Sequence, residues 1–472
     1  MKKYANLHKF IVPVLIFFIS FTFYKDKTNN LNSVFYWDEY PWISRTYYLD
    51  LVINRDLEND LWNVYEIDKD PKLTQYIYGL FLYPDYLKVK RNKGKNYDMV
   101  RYLIDNNFYD RQFLNDISKL RYDKYLDKNF VNWGPEKDTG KPLNYLLREY
   151  GKKFEKTINV ILKARLGAVF FLSLSVVLAY VISQSIFKNT ILSVLVSFLY
   201  GTSSLVVFFG TKAQTESLFL FFINLAILTI IKLFSGNKFK KRYLLLIALS
   251  LIIALTNQVK LIGILLILIF FFLSFLTLAL KEKNLWFRIK KLILENFLVV
   301  FFFVFFYILL DPFLYKNPAK NICYQYQLSH EMAKDQQRIY GGLSNIKERA
   351  SYINSQFLGT FNYLLQPYSS YYGYRVSVPL FLYGVLLKFL IILGLVRISW
   401  RQYLSKKPTL ETLIIIIFLL FYASLLYYLH VGWNRYLVHL VFFIYIIVGQ
   451  GLVYIFDIIK YSGVPFKLWY KK

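Results

Sequence analysis

One cysteine, Cys323, stands in 472 residues, so no intrachain disulfide and no cysteine-based metal cluster can form. Histidine is nearly as scarce: His8, His330, His430 and His439 are the only four, and none has the spacing of a zinc pair. Acidic side chains are few, with 30 Asp and Glu against 58 Lys and Arg, for a formal net charge of +28. In a soluble protein that surplus would point to nucleic acid. The chain is, however, 56% hydrophobic and 20% aromatic with a mean hydropathy of +0.34, which is too apolar for a soluble enzyme and indicates a polytopic membrane protein. No internal repeat of fixed period is visible, nor a low-complexity tract beyond the apolar runs.

The apolar runs order the chain. A short basic start (Met1 to Lys9) leads into a run ending near Tyr24, with Pro13 inside it. No small-x-small site precedes Lys25, so this reads as an uncleaved first span rather than a signal peptide. Further spans follow at roughly 159–187, 190–209, 214–234, 243–257, 259–280, 292–310, 378–397, 411–429 and 436–456, making about ten in all. The expected fold is therefore an all-α polytopic membrane protein. Its divisions are a first span (1–24), a large helical loop domain (25–157), a helical block (158–310), a second loop (311–377), and a final block with a basic tail (378–472).

Charge orients these spans. Lys238 to Arg242, Lys281 to Lys291, Arg397 to Lys407 and the tail ending Lys471-Lys472 all fall on one side when the spans alternate, together with the N-terminus. By the positive-inside rule that side is cytoplasmic, with both termini there. Much of the net charge is thus an orientation signal, and the nucleic-acid reading loses its support. The Lys-, Asn-, Ile- and Tyr-rich composition suggests an AT-rich bacterial genome, hence a bacterial plasma membrane.

The opposite, outer face receives the polar clusters. Phe35 to Arg45 places Asp38 and Glu39 among aromatics, directly before an expected helix with Pro41 at its first position. Ile43, Tyr47 and Leu51, with Tyr48 and Val52, have helical spacing. Asp38 is then either a base for an acceptor hydroxyl, ionised at the positive end of a helix, or simply an N-capping acid with interfacial aromatics around it. Arg165 inside the second span, and Lys212, Lys260 and Arg435 at outer turns, need anionic partners. A lipid phosphate suits them; a structural carboxylate for Arg165, or headgroups for the two lysines, would serve as well. The second loop carries Tyr324, Tyr326, Tyr340, Tyr363, Tyr368, Tyr371, Tyr372 and Tyr374, a surface for sugar rings or an interfacial aromatic belt. His330-Glu331 is a weaker candidate pair.

In this order the clusters resemble the GT-C membrane glycosyltransferases, in particular the protein O-mannosyltransferase and aminoarabinose-transferase-like branch. Trp37-Asp38-Glu39 is similar to that family's Asp-Glu motif. Asp68-Lys69-Asp70-Pro71-Lys72-Leu73, with Tyr76-Ile77-Tyr78-Gly79, is similar to its Asp-x-His-Pro-Pro-Leu segment. Ala164 to Ala168 resembles its Arg-Leu-Pro-Ser-Ala opening of the second span. Phe208 to Ser217, with Glu216, resembles the turn before the fourth span, and Trp433 to Leu437 resembles an Arg-Tyr-Leu-Leu-Pro start. The chain departs from the pattern at Asp70 and Lys72, at Leu166-Gly167 and at Val438-His439.

The resemblance implies a transferase that takes a sugar from a polyprenyl-phosphate carrier on the outer face, inverting and needing no nucleotide sugar; no metal or other cofactor is required if Arg and Lys neutralise the departing phosphate. It implies Asp38 as base and Glu39 in support. Arg165, Arg435, Lys212 and Lys260 would lie near the donor phosphate, and Asp70, Lys72 and Glu216 would line the substrate loop. The acceptor would be a lipid, glycan or protein hydroxyl. A lipid-linked sugar transporter, or a glycan polymerase or ligase, is the alternative. Transport is disfavoured by the missing repeat and by charges gathered at one face.

Overall fold

The computed structural model describes residues 2–63, 71–108, 138–234, 239–281, 284–358, 378–405 and 408–461. Those residues are helical almost throughout. The first helix, α1 (Lys2–Asn29), carries the first apolar run. After it come α2 (Glu39–Ser44), α3 (Tyr48–Ile53), α4 (Leu73–Lys93), α5 (Met99–Asp105) and α6 (Leu143–Tyr150). The long α7 (Glu155–Phe187) leads into α8 (Thr190–Gly201), α9 (Ser204–Gly210), α10 (Thr215–Phe234) and α11 (Phe239–Val259). Next are α12 (Leu265–Lys281), α13 (Leu285–Leu310), α14 (Pro318–Tyr340), α15 (Ile346–Leu358), α16 (Val378–Ser405), α17 (Leu410–Tyr428) and α18 (Val441–Tyr461).

Among the described residues, eight helical segments are long and apolar enough to cross a membrane. They are the segments built on α7, α10, α11, α12, α13, α16, α17 and α18. Of the two remaining expected spans, one is interrupted and the other is a continuous helix. The run at 190–209 is not one helix: α8 ends at Gly201, and α9 restarts at Ser204. The cause is the polar stretch Thr202-Ser203-Ser204, where the Thr202 hydroxyl bonds back to the Phe198 carbonyl at 2.8 Å. The other is α1, whose Lys25, Asp26 and Lys27 lie on its last turns. The helix expected across Ile43 to Val52 is likewise two short ones. Thr46 donates its hydroxyl to the Ile43 carbonyl at 2.9 Å, and the chain turns at Arg45 to Tyr47 before α3.

Helix α7 is the central post. It packs against α1, α4, α8 and α10, and small residues let them close in. A Cβ on Gly167 would lie 2.8 Å from the Phe81 ring of α4, and one on Gly201 would lie 2.9 Å from the Tyr24 hydroxyl of α1. A second tight pair is α16 with α18. Here Gly394 abuts the Ile447 carbonyl and Gly451 abuts the Leu390 carbonyl, so closely that a Cβ at either glycine would collide with the oxygen. With little hydrophobic drive between helices in lipid, such backbone contact is what joins them. By contrast α13 turns Phe297, Phe301, Phe305 and Leu309 outward, a face suited to acyl chains.

Connectivity brings one set of segments to a common face: the 30–63 segment, the start of α4, the 211–214 turn, Val259 to Ile264, the 311–317 segment and the 429–440 segment. The opposite face is stapled by ion pairs. Arg242 grips Glu295 with two bonds of 2.6 and 2.7 Å, Arg397 reaches Asp457 at 3.3 Å, and Arg401 pairs with Glu411.

Candidate active site

The entry to the site is fixed by backbone pairing. Residues 31–35 run along 140–144: Phe35 N–H donates to the Lys141 carbonyl at 2.9 Å, Gly140 N–H to the Phe35 carbonyl at 2.9 Å, and Leu143 N–H to the Ser33 carbonyl at 3.1 Å. Gly140 takes φ +80°, where other residues strain. This pairing delivers Asp38 to the N-terminal cap of α2, which starts two residues before Pro41. The Asp38 carboxylate makes no capping bond; it turns away from its own helix. The neighbouring carboxylates therefore part, Glu39 going inward and Asp38 across the face.

Glu39 is fully buried beside an equally buried Arg165. Arg165 donates from Nε to Oε1 at 2.7 Å and from Nη2 to Oε2 at 2.6 Å. Ala213 N–H adds a bond to Oε1 at 2.9 Å, and Tyr36 N–H one to Oε2 at 3.2 Å. The remaining Arg165 donors serve Ser33 Oγ and the Val34 carbonyl, both at 2.8 Å. One guanidinium thus ties α7 to α2, the 33–34 segment and, through Glu39, the 211–214 turn. Burial raises the Glu39 pKa, but Arg165 and Lys212 outweigh it and hold the carboxyl below its ordinary value. Lys212, also buried, donates to the Val34 carbonyl. Burial first, then the Arg165 charge, pull its pKa down to about 7, with Glu39 opposing.

Asp38 forms its ion pair with Arg435, from the far end of the chain. The side chains are 9% and 16% exposed, so the pair is mostly sheltered yet reachable. The Arg435 guanidinium lies 4.7 Å above the Trp433 ring and 5.2 Å from the Tyr436 ring, and those two rings stack at 6.0 Å. These are cation–π distances, at which a guanidinium is attracted to an aromatic face. Lys260 shares the Tyr436 ring from 6.0 Å and pairs with Glu216 at 2.5 Å.

A further buried cluster adjoins these pairs. Lys72 is buried, 4.9 Å from the Tyr48 ring and 5.9 Å from the Phe313 ring. Its backbone N–H donates to Gln258 Oε1 at 3.3 Å, two residues before Lys260. Its charge acts on Asp311, whose carboxylate accepts from Gln325 Nε2 at 3.1 Å and from Phe313 N–H at 3.2 Å. Burial outweighs these and raises the Asp311 pKa. Sequence reasoning marked Asp311 only as the start of a loop. The signal available was an acid directly ending an apolar run, followed by Pro312.

The structure thus brings Asp38 to Arg435, Glu39 to Arg165 and Lys212, and Lys260 to Glu216, with Lys72 alongside. Asp70 lies outside the described residues, as do Tyr363, Tyr368, Tyr371, Tyr372 and Tyr374. Tyr326 exchanges hydrogen bonds with Asn257 at 3.1 and 3.3 Å. His330 meets His430, with ring centroids 6.4 Å apart.

Comparison with known families bears on this arrangement. A family model described as dolichyl-phosphate-mannose-protein mannosyltransferase matches residues 138–320. The resemblance to the GT-C glycosyltransferases holds. The segment includes Arg165, Lys212, Glu216, Lys260 and Asp311, while Asp38, Glu39, Lys72 and Arg435 lie outside it and reach it only through the fold. The coarse activity that follows is that of a membrane glycosyltransferase. No curated protein and no solved structure matched the chain.

Proposed function

We propose that the protein transfers a sugar from a polyprenyl-phosphate carrier to an acceptor hydroxyl at the Asp38 face, with inversion at the anomeric carbon. The observation that carries this reading is the Asp38–Arg435 pair: a carboxylate and a guanidinium set beside two aromatic rings, some four hundred residues apart, meet at a sheltered but reachable place. Inversion needs one in-line displacement. Asp38 takes the proton of the acceptor hydroxyl as its oxygen bonds to the anomeric carbon. The bond from that carbon to the phosphate oxygen breaks, and its electron pair leaves with the phosphate. Arg435 and Lys260 supply the positive charge that the departing phosphate requires. Glu39 and Arg165, whose bonds are spent on one another, on the Ser33 hydroxyl and on the backbone, act as positioning residues. They hold the 33–39 segment against α7. By the distribution of basic residues this face is the outer one and the stapled face cytoplasmic.

Mannose and protein, named by the matching family model, are the first donor sugar and acceptor class to try. The test is transfer by purified protein from radiolabelled polyprenyl-phosphate sugars to a membrane extract, beside Asp38→Asn. Transfer that disappears in Asp38→Asn and survives chelation is expected. Normal turnover by Asp38→Asn would remove Asp38 from the role of base.

A further inference from the structure

The second loop region contains a set of contacts that the transfer chemistry does not use. On α15, Arg349 is largely buried and points at the end of α17. It donates from Nη1 to the Leu426 carbonyl at 3.1 Å and to the Tyr427 carbonyl, and from Nε to the Leu343 carbonyl at 3.1 Å. Its Nη2 lies 3.4 Å from His430 Nδ1. One turn further along α15, the Tyr352 hydroxyl bonds the Gly432 carbonyl at 2.6 Å and Asn434 Oδ1. Leu343 N–H completes the set with a bond of 2.9 Å to the His430 carbonyl. The Tyr352 ring rests on Gly432 so closely that a Cβ there would stand 3.0 Å from it. From α14, the Tyr340 ring meets Trp433 at 5.7 Å.

Apart from the Arg349–Leu343 bond, these contacts end on residues 426–434, immediately before Arg435. They hold the backbone on which the guanidinium is mounted, and Trp433, one of the two rings beside which it lies. A guanidinium binds a phosphate well only when its planar fork is aimed. We infer that α15 is a clamp that aims Arg435, and that Tyr352 is a positioning residue for the phosphate of the donor. This rests on the proposed role of Arg435. Arg349 fixes the near end of the segment, and Tyr352 fixes the end that touches the cation.

The experiment reads binding and transfer separately in the full-length protein, using polyprenyl phosphate in detergent micelles as the binding probe. Tyr352→Phe keeps the ring and removes the one hydroxyl proton that the Gly432 carbonyl and Asn434 Oδ1 share. Loss of such a bond is worth up to about tenfold, so roughly tenfold weaker binding of polyprenyl phosphate is expected, with unfolding temperature nearly unchanged. Gly432→Ala, which pushes the ring off its seat, is the second variant and should move binding the same way. The deciding measurement is a double-mutant cycle with Arg435→Lys, whose flexible ammonium has no plane to aim. In that background Tyr352→Phe should cost less than about twofold.

A full tenfold loss persisting beside Arg435→Lys would mean that Tyr352 acts on the fold at large and would overturn the clamp. So would unchanged binding in both Tyr352→Phe and Gly432→Ala. Failure of Asp38 as base would appear instead as transfer surviving Asp38→Asn, with the binding cycle unaffected.

Discussion

Replacing Glu39 with Gln leaves the shape of the site almost intact and removes one charge, which makes it the sharpest test of how the 33–39 segment is held. In the native protein Glu39 accepts four bonds between 2.6 and 3.2 Å, two of them from Arg165. A glutamine retains one acceptor oxygen but turns an amide N–H₂ toward donors, so at least one bond becomes a clash of donors. Arg165 is then a fully buried cation without a counter-charge. Breaking one side of a buried pair costs about 3–5 kcal/mol, against total stabilities of roughly 5–15 kcal/mol. At roughly 2 °C per kcal/mol for a large chain, a fall of about 5–10 °C in unfolding temperature is expected. Intrinsic tryptophan fluorescence of the detergent-solubilised protein would measure it. The double variant Glu39→Gln/Arg165→Met removes both charges and should recover part of the loss, because no orphaned ion remains. An unfolding temperature for Glu39→Gln within about 1 °C of native would refute the reasoning. The arginine would then have to be solvated or re-paired, and the segment held by the backbone bonds to 140–144 alone.

Lys212 has a pKa lowered from 10.5 to about 7, so between those values the unfolded chain binds a proton that the folded one does not. Stability should therefore rise with pH across that window through this group, and Lys212→Met should flatten the slope in a series of melts from pH 7 to 10. At the α16–α18 contact, Gly451→Ala places a methyl group against the Leu390 carbonyl. It should lower unfolding temperature by several degrees, whereas Ala423→Gly on α17 should cost only about 1 kcal/mol of helix propensity; equal effects would deny the close contact. Burial raises the Asp311 pKa from 3.8 in spite of Lys72, so above that value the folded chain holds a proton that the unfolded one releases. Stability should therefore fall with rising pH through this group, and Asp311→Asn should remove that part of the slope in melts taken from about pH 4 upward. An unchanged slope would show that the Asp311 carboxyl is not shifted by its burial.

The spans were readable because length and apolarity decide them, and the face that gathers the polar clusters followed from charge alternation. What sequence could not supply was where each charge goes. Asp38 and Glu39 are neighbours of the same type, yet one meets Arg435 and the other Arg165, because pairing of 31–35 with 140–144 sets the angle at which α2 begins. That pairing joins segments more than a hundred residues apart, beyond any local pattern. The breaks after Ser44 and Gly201 had visible causes in Thr46 and in Thr202-Ser203-Ser204. Periodicity of the flanking apolar residues runs straight through both, so it does not register a hydroxyl that bonds back to the helix. Asp311 was missed for a related reason: a single acid after an apolar run looks like a boundary until Gln325 and Lys72 are seen to close on it.

The charges at this face divide by how freely they can meet an incoming anion. Arg165, Lys212, Lys72, Lys260 and Arg435 are set against Glu39, Asp311, Glu216 and Asp38, one cation more than carboxylates while Lys212 is protonated. That excess lies near neutral pH, where the lowered pKa of Lys212 makes it labile. Arg165 has all three guanidinium nitrogens engaged, and Lys72 and Lys212 are sealed from solvent. Only Arg435 and Lys260 keep part of their side chains exposed, 16% and 20%, and both stand on the Tyr436 ring. On the proposed reading a lipid phosphate would therefore have to draw these two away from Asp38 and Glu216. The exchange would leave Asp38 without its guanidinium at the moment a base is needed, and a carboxylate that has lost its counter-charge binds a proton more readily. Donor binding would then raise the basicity of Asp38. With a donor analogue bound, the acidic limb of the transfer-competent state should shift toward higher pH, and Arg435→Lys, which pairs less rigidly, should shrink that shift. An acidic limb that does not move when the donor binds would mean that Asp38 and Arg435 stay paired through the reaction.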